Sequence, residues 1–354
     1  FPIPRPHIFF NHAAEAPKSV RQVEQVNAFL KDALYGDLYE DKWLDHMQQV
    51  RQMAAALVHA APEEIAFVNN VSTGAMLVAN GLAWRNGDHV VTNSNQFPAN
   101  VYPWLNLRER GVEVRTPFLP RNELAYETLF AAMDEKTRVL ALSFVEYDNG
   151  FRYDLERIGR YCQERGILFF VDAVQGLGVF PVDVKKACIT FLATSGHKWL
   201  LGPSGQGFLY IDQSVLPQLY VLPISWLSMT HPFDFYNYTQ ARKATAQAFE
   251  GGTSNLMGIV ALGTGLSLLT EVGLASITEK GQFLAGQLIE GLEQRVYLVD
   301  AAADPSHRSA IVSFRHPVLA AEQLHARLLQ NKVIVSLRNG NVRVSPHFSN
   351  TEQD

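Results

Sequence analysis

The stretch Ile-Leu-Phe-Phe-Val-Asp-Ala-Val-Gln-Gly at 167 to 176 constrains this 354-residue chain more than any other. A continuous apolar run that stops abruptly at an aspartate is the pattern of a strand buried on both faces, as in a parallel sheet covered by helices. It delivers Asp172 at its carboxyl end, where open α/β sheets bind their ligands. Apolar runs at 64 to 69, 88 to 92, 112 to 117, 139 to 145 and 208 to 211 read as further strands, and 126 to 133 and 155 to 165 carry helical spacing between them. That βαβ rhythm predicts an α/β fold with a mainly parallel sheet and helices on both faces. The chain is too long for one ordinary core, so a large domain and a smaller one are expected.

A second stretch, Ala-Thr-Ser-Gly-His-Lys-Trp-Leu-Leu-Gly-Pro-Ser-Gly-Gln-Gly at 193 to 207, sets Lys198 between a histidine and a tryptophan, ahead of Leu200 and Leu201. Loss of water there lowers a lysine's pKa and frees its amine for Schiff-base chemistry. A solvated lysine on a turn is the other reading, as an ion pair at a strand end is for Asp172. Together the two stretches explain each other. A buried aspartate facing a pyridinium nitrogen, with a lysine on a following strand-loop, is what pyridoxal 5'-phosphate requires.

The remaining segments supply candidates. Asn70-Val71-Ser72-Thr73-Gly74 opens a helix directly after a strand, which is either an anion site for the cofactor phosphate at Ser72, Thr73 and Gly74 or plain N-capping. Ile8 to Phe10 delivers Asn11 and His12 into the small-residue turn Ala13-Ala14, where a ligand could approach or where His12 is an ordinary turn histidine. Trp226 and the aromatics Phe233, Phe235, Tyr236 and Tyr238 either roof a substrate or pack. Helices are expected at 20 to 34 and 43 to 59, and a long one from about Leu256 bridges to a smaller domain with strands at 309 to 314, 332 to 336 and 341 to 344 around a helix at 320 to 329.

Composition excludes several classes. Charged residues make up 18% and hydrophobic ones 47%, which suits a well-buried enzyme and not disorder, and a net charge of -5 without a basic stripe argues against nucleic acid. Cys162 and Cys188 give neither metal spacing nor a disulfide framework, in keeping with a reducing cytoplasm, and no apolar stretch reaches the ~18 to 20 residues of a membrane span. The chain lacks an initial methionine and stops at Asp354 where Asn-Thr-Glu reads as a helix start, so both ends are expected to be incomplete.

Six motifs in order carry a resemblance over most of the chain: Val-Ser-Thr-Gly at 71 to 74, Gln-Phe-Pro-Ala-Asn at 96 to 100, Val-Asp-Ala-Val-Gln-Gly at 171 to 176, Ser-Gly-His-Lys-Trp at 195 to 199, Phe-Glu-Gly-Gly-Thr at 249 to 253, and Arg-Val-Ser-Pro-His-Phe-Ser-Asn-Thr-Glu at 343 to 352. The sequence resembles the aminotransferase class V group of fold-type I pyridoxal phosphate enzymes, which includes cysteine desulfurases, selenocysteine lyases, kynureninases and isopenicillin N epimerase-like proteins. The resemblance implies a PLP-dependent transferase fold: a seven-stranded-type sheet in a large domain over 13 to 255, a linker helix and small α+β domain over 256 to 354, and an N-terminal segment, 1 to 12, lining the site.

It implies roles as well. Lys198 binds the cofactor and takes the Cα proton of an α-amino acid, Asp172 keeps the ring nitrogen protonated, and Phe97 stacks on the ring face. Gln175 meets the ring oxygen, and Ser195, His197, Ser72 and Thr73 hold the phosphate and ring edge. Gly252 and Thr253 reach the phosphate of a neighbouring subunit, so a homodimer with shared sites is implied. Arg343 clamps the substrate carboxylate, with Arg338 its nearest competitor, while Asn11, His12 and Trp226 border the substrate. Desulfurases carry a mobile cysteine shortly before the arginine motif, and 333 to 343 holds none. β-Elimination from a cysteine-like amino acid is the first expectation, with transamination and epimerisation beside it.

Overall fold

The structure is a computed structural model that describes residues 1 to 4 and 6 to 354. In chain order the elements are β1 (Ile8–Phe9), α1 (Val20–Ala33), α2 (Glu40–Leu57), β2 (Ile65–Val68), α3 (Val71–Gly81), β3 (His89–Val91), α4 (Tyr102–Leu105), β4 (Glu113–Arg115), α5 (Leu124–Ala131), β5 (Thr137–Ser143), α6 (Leu155–Glu164), β6 (Leu168–Asp172), β7 (Phe191–Ser195) and β8 (Gly207–Ile211). The second half continues with α7 (Leu256–Val272), α8 (Leu274–Glu293), β9 (Leu298–Asp300), β10 (Val312–Arg315), α9 (Ala321–Gln330), β11 (Val333–Ile334), β12 (Ser336–Arg338) and β13 (Asn341–Val344).

Seven strands form one sheet in the order β2-β8-β7-β6-β5-β3-β4. Only β8 runs against the rest, pairing antiparallel with both β2 and β7. Because both faces are covered, each strand is apolar throughout, yet its residues still alternate between two cores. Leu140, Leu142, Phe169, Val171, Phe208 and Tyr210 enter the core under α2, α5, α6 and α7, whereas Val139, Ala141, Phe170, Leu209 and Ile211 enter the core under α3 and α4. This is the two-sided burial that the run ending at Asp172 requires.

A second sheet, β12-β13-β10-β9, is antiparallel and packs Val312, Phe314, Val342 and Val344 against Ala285, Ile289 and Leu292 of α8 and Leu324 of α9. β1 pairs in parallel with β11 in a separate two-stranded sheet, which ties the N-terminal segment to the chain just ahead of β12. Between the sheets the chain turns by 83° from α7 into α8. Gly273 makes the turn, with φ at +84° and its N–H on the Leu269 carbonyl at 2.9 Å, a left-handed helix end that a side chain would strain. No single described helix is long and apolar enough to cross a membrane.

Candidate active site

The carboxyl ends of β5, β6 and β7 carry the chemistry because parallel strands leave their last residues on one edge. Ser143 is in register with Asp172, and Asp172 with Ala193, so the loops after these strands open side by side. They border a cavity of about 260 Å³ lined by Ser72, Phe97, Tyr147, Asp172, Val174, Gln175, Ser195, His197, Lys198, Arg338 and Arg343, with Ala13 and Ala14 at its edge. Nine of the residues singled out from sequence, Arg338 among them, meet here.

Asp172 is 1% exposed. Its Oδ1 accepts the Val174 N–H at 3.0 Å, and among the described residues nothing donates to its other oxygen. Burial pushes its carboxyl up to about 6, with the Val174 N–H and Lys198 pulling the other way. Lys198 follows the end of β7, where Leu201 adopts φ of 56° and donates its N–H to the Lys198 carbonyl at 3.0 Å. A left-handed leucine in a buried turn is strained, and it holds the lysine loop tightly over the sheet. Burial lowers the Lys198 amine to about 8; Asp172 opposes this, and Arg343 and Arg338 add to it. The amine makes no hydrogen bond or ion pair among the described residues and lies 5.6 Å from the centre of the Phe97 ring. Phe97, 43% exposed, meets Tyr147 edge-on at 5.3 Å.

Helix α3 begins at the cavity wall. Asn70 caps it, its Oδ1 accepting the Thr73 N–H at 2.9 Å and the Thr73 hydroxyl at 3.2 Å. Gly74 donates to the Asn70 carbonyl at 3.1 Å, and Val71 to the Ser195 hydroxyl at 3.1 Å. Plain N-capping therefore accounts for Thr73 and Gly74, which do not line the cavity. Gly74 instead lets α3 approach the sheet, since a Cβ there would stand 2.8 Å from the Ala193 Cβ. Ser72 alone keeps a free N–H and hydroxyl at the helix start, among the described residues.

Gln175 donates to the Ala13 carbonyl at 3.0 Å and accepts the Trp199 indole N–H at 2.8 Å, which fixes its amide plane against the cavity. His197 is lowered to about 4 by burial and by Lys198, and is neutral at pH 7. Arg343, expected at a strand end, is the third of four residues in β13, which is flanked by β12 and β10. Its Nε donates to Ser336 Oγ at 3.2 Å and its Nη1 to the Tyr147 carbonyl at 2.5 Å, whereas its buried Nη2 has no partner. No described carboxylate lies within salt-bridge distance of it.

Five expected residues stand apart. His12 is fully buried behind the site, packed between Phe9, Trp199 and His347, with Nδ1 on the Ser345 carbonyl at 3.2 Å. Burial and His347 lower it to about 3, so it is a neutral core histidine and not part of the cavity lining. Asn11 bridges to Ser345 beside it. Trp226 and Thr253 line a different cleft, with Lys243 and the buried ion pair of Arg51 and Glu250; Gly252 adjoins them. The main lining residues that the sequence reading left out are Tyr147 and Val174, the latter because its apolar character carries no site signal.

The fit to pyridoxal phosphate is specific: an uncommitted half-buried amine, an acid with one free oxygen, a ring face at Phe97 and a helix start at Ser72 surround one space. Comparison with known proteins agrees. A probable cysteine desulfurase of Methanothermobacter thermautotrophicus is 28% identical over all of this chain and 93% of that protein. A cysteine desulfurase of Salmonella newport is 30% identical over 87% of this chain and 78% of that protein. The structure of the cystine C-S lyase C-DES in complex with its reaction product cysteine persulfide superimposes with a TM-score of 0.89 at 23% identity, covering 99% of this chain and 95% of that one, which is a likeness of fold. The model of the aminotransferase class-V family matches residues 8 to 353, from β1 to the C-terminal turn, and on that span the chain belongs to this family of pyridoxal 5'-phosphate enzymes.

Proposed function

We propose that the enzyme removes the Cα proton of an α-amino acid and eliminates its β-substituent, with C–S bonds of cysteine-like substrates as the favoured case. The observation that carries this reading is the Lys198 amine, half-buried, without a partner among the described residues, lowered to about 8 and sharing a cavity with Asp172 and Arg343. An amine in that range is neutral often enough at physiological pH to take a proton. Pyridoxal phosphate, when bound, supplies an electron sink for the negative charge left at Cα.

Lys198 would hold the cofactor and Asp172 would keep its ring nitrogen protonated. Phe97 would cover the ring, Gln175 meet the ring oxygen, and Ser72, Ser195 and His197 hold the phosphate and ring edge. Arg343 binds the α-carboxylate through the Nη2 that no protein group uses, and so orients the Cα–H bond toward Lys198. Elimination forms a Cα–Cβ double bond and expels the β-substituent with the bonding electron pair. Neither Cys162 nor Cys188 lines the cavity, so an enzyme-bound persulfide has no thiol there to form on. The names of the relatives, cysteine desulfurase and cystine C-S lyase, support sulfur-bearing substrates.

The enzyme is read as a homodimer in which Gly252 and Thr253 serve the neighbouring copy's phosphate, since both lie outside their own chain's Lys198 cavity. The exposed Tyr220, Leu222, Ile224, Phe233 and Phe235 near that cleft support an apolar contact. Residues 13 to 255 act as the cofactor-binding unit and 256 to 354 as the linker and Arg343-bearing unit.

The test is incubation of the holoenzyme with a panel of L- and D-amino acids, measuring pyruvate and released thiol, keto acid, and enantiomer exchange together. Pyruvate with thiol is the expected result. Keto acid with aminated cofactor moves the reading to transamination, and exchange of enantiomers to epimerisation. Turnover of no α-amino acid overturns it in favour of a binding protein on the same fold.

A further inference from the structure

We infer that Arg338 is a specificity residue and that the substrate carries a second anionic group, a carboxylate or sulfur oxyanion, on its side chain. The inference deepens the amino-acid reading above and rests on it. β12 and β13 form a hairpin in which Ser336 faces Arg343 and Arg338 faces Asn341. Alternation along the strands puts Arg338 and Arg343 on one face as diagonal neighbours, ~7 to 8 Å apart at the backbone. Both guanidiniums line the Lys198 cavity.

Like charges placed so close repel, and among the described residues no carboxylate forms an ion pair with either. Neither arginine has a carboxylate within 4 Å among the described residues. The acid whose charge favours the Arg343 guanidinium is already engaged: Asp148 takes hydrogen bonds from Asn149 at 2.8 Å and Asn339 at 3.0 Å and faces Arg121 at 4.0 Å.

The two arginines differ in what they have left. Arg343 has spent Nε and Nη1 on Ser336 and Tyr147 and keeps Nη2, enough for one carboxylate oxygen. Arg338 spends only Nη1, on the Leu337 carbonyl at 2.7 Å, and so keeps Nε and Nη2 for a second oxyanion. The cofactor phosphate has separate donors at Ser72. One α-carboxylate leaves Arg338 unmatched in a half-buried site, and a second oxyanion on the same ligand matches it.

The experiment is calorimetric titration of the holoenzyme with succinate and glutarate against butyrate and valerate, none of which can react. The expected result is a preference of about 10-fold or more for the dicarboxylate, in line with one added charge-assisted contact. R338M should collapse that ratio toward one, and R338K should keep part of it, which controls for misfolding. A wild-type enzyme without the preference, or a ratio that R338M leaves intact, overturns the inference. The amino-acid reading fails separately: dicarboxylate preference with no spectral response of the cofactor to any amino acid leaves Arg338 as an anion site and removes the substrate.

Discussion

Replacing Arg343 by methionine should make the substrate-free protein more stable while removing its grip on substrate. Arg343 is 1% exposed and has no acid beside it; burial first, then Arg338, holds its guanidinium down at about 9. At pH 7 it is nonetheless charged, and the fall from the usual arginine value corresponds to about 4 to 5 kcal/mol of unfavourable burial. Methionine fills similar volume without the charge. It forfeits the hydrogen bonds to Ser336 and the Tyr147 carbonyl, about 1 to 1.5 kcal/mol each, so a net gain of about 2 kcal/mol remains. Spread over the unfolding entropy of a chain this long, that raises the melting temperature by about 3 °C. The sign with pH is defined: folded and unfolded forms are both protonated below about 9, so the gain is flat from pH 6 to 8 and fades only as the native arginine deprotonates above its folded value. The assay is thermal unfolding of both proteins with and without cofactor, beside KM for α-amino acids, which should rise by at least ~30-fold on loss of a charged contact. A lower melting temperature with unchanged KM refutes the reasoning and makes Arg343 a structural residue.

Reductive labelling of cofactor-free protein with a small aldehyde should modify Lys198 with a midpoint near pH 8, since the amine is neutral above that value; a midpoint at the ordinary lysine value contradicts the desolvation argument. Asp172→Asn should leave the cofactor bound but slow Cα-proton exchange by about 100-fold or more, because a neutral amide cannot hold the ring nitrogen charged; unchanged exchange removes Asp172 from the chemistry. Gly74→Ala drives a methyl group into Ala193 and should cost about 1 to 3 kcal/mol in urea unfolding. Sedimentation should give a dimer, and an active monomer would remove Thr253 from the site.

What could be read from sequence and what could not separate on physical grounds. The strand ending at Asp172 was legible because two-sided burial leaves a run of apolar residues that no half-exposed element shows. β7 was less so: Phe191 to Ser195 is short, half of it small or hydroxylated, and its strand character comes from neighbours on both sides. The anion site at 72 to 74 was ambiguous because a cap and a phosphate donor use the same residue types. Asn70 resolved it by reaching Thr73, a matter of one side-chain rotamer. His12 misled because a histidine beside small residues signals a ligand turn, while its neighbours in space, Trp199 and His347, lie far along the chain. Arg343 and Arg338 could be named but not ranked, since strand register decides that both face the same cavity.

The site's charges show why the chain holds a ligand at all. Lys198, Arg338 and Arg343 gather around a single buried acid, Asp172, whose own carboxyl is pushed toward protonation. Burial raises the Asp172 carboxyl and lowers the Lys198 amine and the Arg343 guanidinium, and a fold selected for stability alone has no reason to keep that arrangement. On the proposed reading the groups are matched by a molecule that brings a cation to Asp172, a carbonyl carbon to Lys198 and oxyanions to the two arginines. A protonated pyridine aldehyde satisfies the first two, and an amino acid with two acidic groups satisfies the rest. Tyr147 couples the halves: its ring stands against Phe97 at the cofactor side and its carbonyl holds Arg343 at the substrate side.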